Sequence, residues 1–465
     1  MQKKSKIFIL LPDGIGLRNF AYSSFYQIGV NKKFEVVFWN NTPFPLTDLG
    51  FQEIKIENAK LHPLTDIYKN IKIQAELNLN IKKTKDLVYD SYRFPFSYAS
   101  LKKSIKSIAV QLLTFFYYSE KGLRKIRNKM NDYERKTTYY KQSIATLKKE
   151  KPNLVFCTNQ RPVLAIAPLL AAQDLGIPTA TFIFSWDNLP KATMVVETDY
   201  YFVWSNYMKM ELLFYYPYIK EDRIFITGTP QFELHLNTHK ILSRETFCSQ
   251  NNLDINKKYI CFSGDDITSS PDDPKYLQDT ALAIITLNKK FYNLGIIFRR
   301  CPADFSDRYD DVLKKYSDTI VSIDPLWNPL STFWNSIMPT KEDDLLLSNI
   351  AEHSEMVINV GSSTVFDFAT HNKPCAYFRY NQKIQKNKDW NIFKCYRFVH
   401  FRSMPNKEAI IWLDSSEEIA LSIENMLKDS KKTVGYAKDW FEVINQHPPE
   451  DASKRIWESI IKIVQ

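Results

Sequence analysis

Met356-Val357-Ile358-Asn359-Val360-Gly361-Ser362-Ser363-Thr364-Val365-Phe366-Asp367-Phe368-Ala369-Thr370-His371-Asn372-Lys373-Pro374-Cys375-Ala376-Tyr377-Phe378 is the stretch that decides the fold. It opens with a short apolar run, the pattern of a strand buried in a parallel sheet. Gly361 to Thr364 follow as a small-residue turn. From Thr364 onward, Val365, Phe366, Phe368 and Ala369 suit a helix with one packed face. Lys373-Pro374 stops that helix, and Cys375 to Phe378 read as the next strand. A strand, a hydroxyl-rich turn and a helix in this order aim free backbone N–H groups and a positive helix end at one point, which suits a phosphate. Asp367 lies about one turn inside the helix, close enough to hydrogen-bond a ribose if the phosphate sits on the turn. The same residues also suit an ordinary βαβ unit whose Ser and Thr cap a helix. The local pattern leaves both readings open.

The same rhythm runs on both sides of this stretch. Ile7–Leu11 is a first buried strand leading into Pro12-Asp13-Gly14-Ile15-Gly16-Leu17-Arg18, a glycine turn that opens a helix. As Gly-x-Gly without a third glycine it is only a fragment of a dinucleotide fingerprint. Phe34–Trp39, Asn153–Cys157, Thr179–Phe184 and Tyr200–Trp204 read as further strands. Ile224–Ile226 closes that half at Thr227-Gly228-Thr229-Pro230. After a polar linker near residues 236–258, a second set follows: Tyr259–Phe262 ending at Ser263-Gly264-Asp265-Asp266, Gly295–Phe298 ending at Arg299-Arg300, and Ile320–Ile323. The expectation is therefore an α/β chain of two Rossmann-like, doubly wound domains facing a cleft. Its parts are a first domain over residues 1–240, a second over 257–430, and C-terminal helices over 431–465 packing back on the first domain.

A length of 465 residues exceeds what one core fills, and 44% hydrophobic with 14% aromatic residues is enough for two. The net charge of +10 favours anionic partners such as a nucleotide, an acidic glycan or a phospholipid surface. Nucleic acid does not fit, because there is no zinc-finger spacing, RNP signature or long basic helix. Six cysteines without a C-x-x-C pair indicate reduced thiols and a cytoplasmic protein rather than disulfides or a zinc site. The basic start Met1–Lys6 is followed by too short an apolar run for a signal peptide. The longest apolar run, Val163–Ala172, falls well short of a membrane span.

One region breaks the α/β rhythm. Over about residues 92–150, Lys102, Lys103, Lys106, Lys121, Arg124 and Lys125 interleave with Ile105, Ile108, Leu112, Phe115 and Phe116. This reads as a helical insertion with a basic face and an aromatic-rich face. It suits either anionic lipid headgroups on the inner face of the plasma membrane or a solvated basic surface over an ordinary core.

Strand ends carry the candidate chemistry. Asp13-Gly14 and Ser185-Trp186-Asp187-Asn188 offer carboxylates in the first half. Gly264, Arg300, Ser362, Ser363 and Thr364 offer small residues, a cation and hydroxyls in the second. That division fits an anionic activated donor on one side and a base with an acceptor on the other. Here the residues resemble GT-B glycosyltransferases. Gly361–Thr364 with Asp367 and Lys373-Pro374 resembles the Gly/Ser-Ser-Thr…Glu…Gly-x-Pro donor motif, with Asp one methylene shorter than Glu. Gly361–Ala369 and Thr227-Gly228-Thr229-Pro230 are also similar to segments of CDP-glycerol glycerophosphotransferases. Those enzymes carry Trp-His-Gly-Thr where this chain has Trp186-Asp187-Asn188-Leu189, and surface-polysaccharide transferases with Ser-Trp-Asp-Asn are the closer match.

The resemblance implies a nucleotide-sugar donor as substrate, bound by Gly264, Arg300, Ser362, Ser363, Thr364 and Asp367, with no separate cofactor and no metal. It implies a glycan or lipid-linked acceptor near Gly14, Arg18, Trp186 and Asn188. Asp187 is the first choice for the general base and Asp13 its rival, both from their positions at strand ends. A hydrolysing sugar-nucleotide epimerase or a CDP-glycerol-type glycerophosphotransferase is the alternative activity, and a binding-only protein a further one.

The remaining polar residues read more simply. His235 and His239 have H-x-x-x-H spacing but lack the zinc-protease Glu, and His235 reads as a surface histidine at the hinge. His62, His353, His371, His400 and His447 stand alone. Asp265-Asp266 and Asp272-Asp273 read as turn or capping residues. Trp327, Trp334, Met338 and Pro339 suit either a packed loop or one lying near a nucleobase.

Overall fold

Ile7 to Leu11 are apolar at every position and fully buried, which only a sheet covered on both faces permits. In the computed structural model, which describes residues 4–329 and 337–465, they lie in β1 (Lys6–Leu11). β2 (Glu35–Asn40), β3 (Glu53–Lys55), β4 (Leu154–Cys157), β5 (Thr179–Phe182), β6 (Tyr200–Val203) and β7 (Ile224–Ile226) complete a seven-stranded sheet. Its order is β3-β2-β1-β4-β5-β6-β7, and every pairing is parallel. The order reverses between β1 and β4. Loops after those two strands leave in opposite directions and open a crevice at the carboxyl edge.

The helices of this unit are α1 (Gly16–Phe20), α2 (Phe25–Asn31), α3 (Thr65–Thr84), α4 (Leu101–Tyr117), α5 (Glu120–Glu134), α6 (Thr138–Glu150), α7 (Ile166–Asp174) and α8 (Asn206–Tyr215). One face of the sheet buries Phe8, Leu10 and Val155 against Ile71, Ile126 and Leu169 of α3, α5 and α7. On the other face Phe20 meets Phe25, Phe156 and Phe182 edge-on at 5.1–5.3 Å, a favourable aromatic geometry. The helical segment expected from about residue 92 starts earlier, at Thr65. Its first helix is hard to read because it buries polar side chains: Lys72 and Glu76 pair at 2.7 Å with both side chains enclosed.

The second sheet is built from β8 (Lys258–Ser263), β9 (Leu294–Arg299), β10 (Ile320–Ser322), β13 (Ser354–Asn359), β14 (Cys375–Phe378) and β15 (Ile411–Leu413). A short antiparallel ladder, β11 (Asn328–Pro329) with β12 (Ile337–Met338), lies between β10 and β13 in the chain. The sheet order is β10-β9-β8-β13-β14-β15, all parallel, and the reversal falls between β8 and β13. Its helices are α9 (Arg244–Gln250), α10 (Asp273–Asn288), α11 (Asp310–Lys315), α12 (Lys341–His353), α13 (Thr364–Thr370), α14 (Ile392–Cys395), α15 (Ile419–Lys428) and α16 (Lys431–Ile444). The stretch read as a linker thus contains α9.

The chain divides into residues 1–230 with 444–465, and residues 231–443. The boundary near the C-terminus falls at 444, not 431, because α16 belongs to the second unit. There Trp440 donates to Ser403 Oγ at 2.9 Å and packs edge-on against Phe366 at 4.8 Å. α17 (Ala452–Val464) closes the first unit: Trp457 stacks on Phe25 at 5.0 Å and donates to its carbonyl at 2.7 Å. Gly29 makes that approach possible, since a Cβ there would lie 2.1 Å from the Trp457 ring.

Candidate functional site

In the first unit the crevice between β1 and β4 is lined by the loops that follow those strands. Gly16 must lack a side chain, because a Cβ would lie 2.4 Å from Thr158 Oγ1. That close approach brings Asp13 onto the end of β4. Asn159 Nδ2 donates to Asp13 Oδ2 at 2.8 Å, and the Ile15 N–H donates to Oδ1 at 3.3 Å. Burial pushes the Asp13 carboxyl up to about 6, against the lowering effect of these two bonds and of Arg161. The residue still keeps a partly accessible edge. Gly14 is buried, and its carbonyl accepts from Leu17 N at 3.2 Å. Arg18 is half-buried on α1.

Asp187 sits differently. Ser185 Oγ and Asn188 Nδ2 donate to its Oδ1 at 2.7 and 2.9 Å, and Lys191 forms an ion pair with Oδ2. Asn188 is buried and also accepts from Gln160 Nε2 at 3.1 Å, while Trp186 is buried beside it. Asp187 therefore holds its own loop together. Near it lies a residue absent from the sequence reading, Glu211 of α8. Its Oε1 is buried without a hydrogen bond, and burial together with the charge of Asp187 raises it to about 8. The other residues missed at sequence level are Asn159, Gln160 and Arg161. Their signal was present: a polar run immediately after the fully buried strand Leu154–Cys157.

In the second unit the reversal point joins the loops after β8 and β13. The Val360 N–H donates to Asp265 Oδ2 at 3.2 Å, tying one strand end to the other. Burial and the neighbouring Asp273 raise the Asp265 carboxyl well above its usual range. Gly264 donates to the Arg299 carbonyl at 2.8 Å, and a Cβ there would press within 3.1 Å of Phe298 and Tyr309. The turn after β13 is fixed from below. Asn359 Oδ1 accepts from Ser362 N at 2.8 Å, its Nδ2 donates to Thr364 Oγ1 at 3.0 Å, and Tyr377 donates to the Ser362 carbonyl at 2.7 Å. Gly361 takes φ +71°, a conformation in which other residues are strained. Ser363 is exposed and its hydroxyl makes no capping bond.

The two arginines after β9 separate in role. Arg299 is buried and its Nη2 donates to both oxygens of Asp343 at 2.8 and 2.9 Å, and Asp343 also accepts from Trp327 Nε1 at 2.6 Å. Trp327 is thereby packed on this pair, whereas Trp334 lies outside the described residues. Arg300 bonds the Ser306 carbonyl and lies over the Tyr309 ring at 5.4 Å, with part of its guanidinium accessible.

Asp367 and His235 depart from expectation together. His235 is 4% exposed rather than a surface histidine, and its Nε2 lies 3.0 Å from Asp367 Oδ1. Its Nδ1 lies 3.1 Å from His371 Nε2, and His371 Nδ1 lies 2.8 Å from Glu352. His371 therefore does not stand alone. Burial and His235 hold its pKa below the ordinary value. Asp367, expected at a ribose, is 6% exposed and anchors the segment after Pro230 to α13. Among the described residues, no group of three or more His, Cys, Asp or Glu is arranged to hold a metal ion.

No protein-family model matches the sequence, and no curated protein does. Solved structures do match. A glycosyltransferase from Rickettsia africae is 12% identical with a TM-score of 0.52, over 100% of this chain and 99% of that one. UDP-GlcNAc 2-epimerase from Methanocaldococcus jannaschii is 14% identical with a TM-score of 0.53, over 99% and 100%. The wall teichoic acid polymerase TagF is 12% identical with a TM-score of 0.50, over 99% and 89%. With its two parallel sheets, each reversing once, the chain has the GT-B fold, which these glycosyltransferases and sugar-nucleotide epimerases share.

Proposed function

We propose that the protein is a glycosyltransferase that moves a sugar from a nucleotide-activated donor to a glycan or lipid-linked acceptor in surface-polysaccharide synthesis. The observation that carries this reading is Asp13: a carboxyl of pKa about 6, fixed by Asn159 at the crevice and reachable from one side. A general base works best when its pKa lies near the working pH and its position is fixed. In the reaction the acceptor hydroxyl oxygen bonds to the anomeric carbon, the bond from that carbon to the diphosphate oxygen breaks, and Asp13 takes the hydroxyl proton. The nucleoside diphosphate leaves with the bonding pair. In the second unit Ser362, Ser363 and Thr364 would bind that diphosphate, and Arg300 would offset its charge without a metal or further cofactor. Asp187 then serves to hold Asn188 and Trp186 toward the acceptor.

The fold supports a second reading. Shared with a UDP-GlcNAc 2-epimerase over 99% of this chain, it fits a hydrolysing sugar-nucleotide epimerase equally, and Glu211, with its raised pKa, is an acid of the first unit whose part in such chemistry a substitution would test. A panel of UDP-, CDP- and GDP-activated sugars, with CDP-glycerol, separates the readings. A nucleotide at about 100 times its Kd adds about 2.7 kcal/mol of stability, and so reveals itself in a melting curve. The bound donor is then followed with and without acceptor. Turnover that needs an acceptor supports transfer, turnover of the donor alone supports epimerisation, and binding without either excludes both.

A further inference from the structure

α4 carries six large apolar side chains on the side away from the protein. It buries Ser107, Val110 and Thr114, while Leu101, Ile105, Ile108, Leu112, Phe115 and Phe116 are 51–79% exposed. At 3.6 residues per turn these six fall within about 100° of arc, opposite the buried edge. Phe94, Phe96 and Tyr98, in the loop that leads into α4, are exposed as well. Ordinary proteins scatter single apolar residues over their surface, whereas a continuous stripe marks an interaction site.

Charge identifies the occupant. From Ser91 to Ser119 the sequence contains no Asp or Glu and carries Arg93, Lys102, Lys103 and Lys106. Arg93 and Lys106 are paired with Asp90 and Asp66, but Lys102 and Lys103 are exposed in the first turn of α4, Lys102 next to the stripe, and α5 adds exposed Lys121, Arg124 and Lys125. A second copy of the chain would bring these cations against one another. A bilayer of acidic lipid instead takes up the apolar stripe and neutralises the lysines in one arrangement. Among the described residues no helix is long and apolar enough to cross a membrane, so α4 would lie in the membrane plane.

We propose that α4 and the loop before it form the surface by which the protein docks on a membrane containing anionic phospholipid. The site concerns where the protein works and does not depend on sugar transfer, so it is tested without any nucleotide. The full chain is sedimented with phosphatidylcholine vesicles, with and without about one-third phosphatidylglycerol, at low and high salt. Binding is expected only with phosphatidylglycerol and should weaken with salt. The pair Lys102→Glu and Lys103→Glu should lower partitioning at least about twenty-fold, at about five-fold per cation removed. The triple change Ile105→Ser, Leu112→Ser and Phe116→Ser should lower it at least about tenfold. Because all five side chains are exposed, both variants should melt with the wild type. Wild-type binding that ignores lipid charge, or binding that survives either set of changes, overturns the proposal. So does a dimer in sedimentation velocity that the triple change dissolves while the wild type ignores vesicles.

Discussion

Asn159 donates to Asp13 across the point where the first sheet reverses its strand order, at 2.8 Å. One bond thus joins the loops after β1 and β4 and holds a buried carboxyl in place. Asp265 and Val360 stand in the same relation across the reversal of the second sheet, at 3.2 Å.

If Asp13 is the base, Asp13→Asn preserves the shape and the bond to Asn159 but removes the basicity. kcat should fall by about 10²–10⁴ while donor affinity stays the same. In the wild type, kcat/KM should decline below about pH 6, where Asp13 becomes protonated and cannot accept the proton. Asp187→Asn should mainly cost thermal stability, through its links to Lys191 and Ser185. Turnover surviving in the Asp13 variant but not in the Asp187 variant would reverse the two roles.

Donor binding should depend on the turn after β13. Ser363→Ala removes an exposed hydroxyl and should weaken nucleotide binding by about 1.5–3 kcal/mol, the worth of a bond to a charged group, without changing the melting temperature. Thr364→Ala also takes away an acceptor used by Asn359, so it should lower both. Calorimetric titration alongside melting separates the two effects, and wild-type affinity in the double variant would remove the turn from the site.

Glu211 gives a pH signature of stability. Its folded pKa of about 8 lies above that of an ordinary glutamate, so the folded state holds a proton that the unfolded chain releases. The stabilisation is complete below the unfolded value and is lost as the pH climbs toward 8. Glu211→Gln lacks this dependence. Its melting temperature relative to wild type should therefore rise steadily from about pH 5 to pH 8, and parallel melting profiles would show that Glu211 is not buried as described.

Trp457→Ala should destabilise the first unit by about 3–5 kcal/mol, the usual cost of emptying a large aromatic site. Gly29→Ala should cost a comparable amount, since its new methyl would enter the Trp457 ring. Denaturant unfolding of both variants checks this, and a near-neutral Gly29→Ala would mean that α17 can shift.

The central strands of both sheets were legible because burial on two faces forces an unbroken apolar run, as in Ile7–Leu11 and Met356–Ile358. The edge strands β3 and β15 were not. Each has three residues, and Glu53-Ile54-Lys55 is two-thirds charged, its charges held by Asn40 and by the Thr42 and Phe44 carbonyls, so neither length nor composition separates it from a loop. The hydroxyl turn Gly361–Thr364 declared itself through glycine and its position after a strand. The environment of Asp367 did not, since its partner His235 lies 132 positions away and only the folded chain brings them together. The same holds for Asp13: its position could be read, but the bond that fixes it comes from Asn159, 146 positions away.

The seating of α17 has a consequence for synthesis. Residues 231–443 leave the ribosome as one continuous body that can close as soon as it emerges. The body made first must instead wait with the slot over Gly29 and Phe25 open until Trp457 arrives, more than four hundred positions later. The order of completion is therefore the reverse of the order of translation. A nascent-chain protease assay should find the middle of the protein protected while its beginning is still cut.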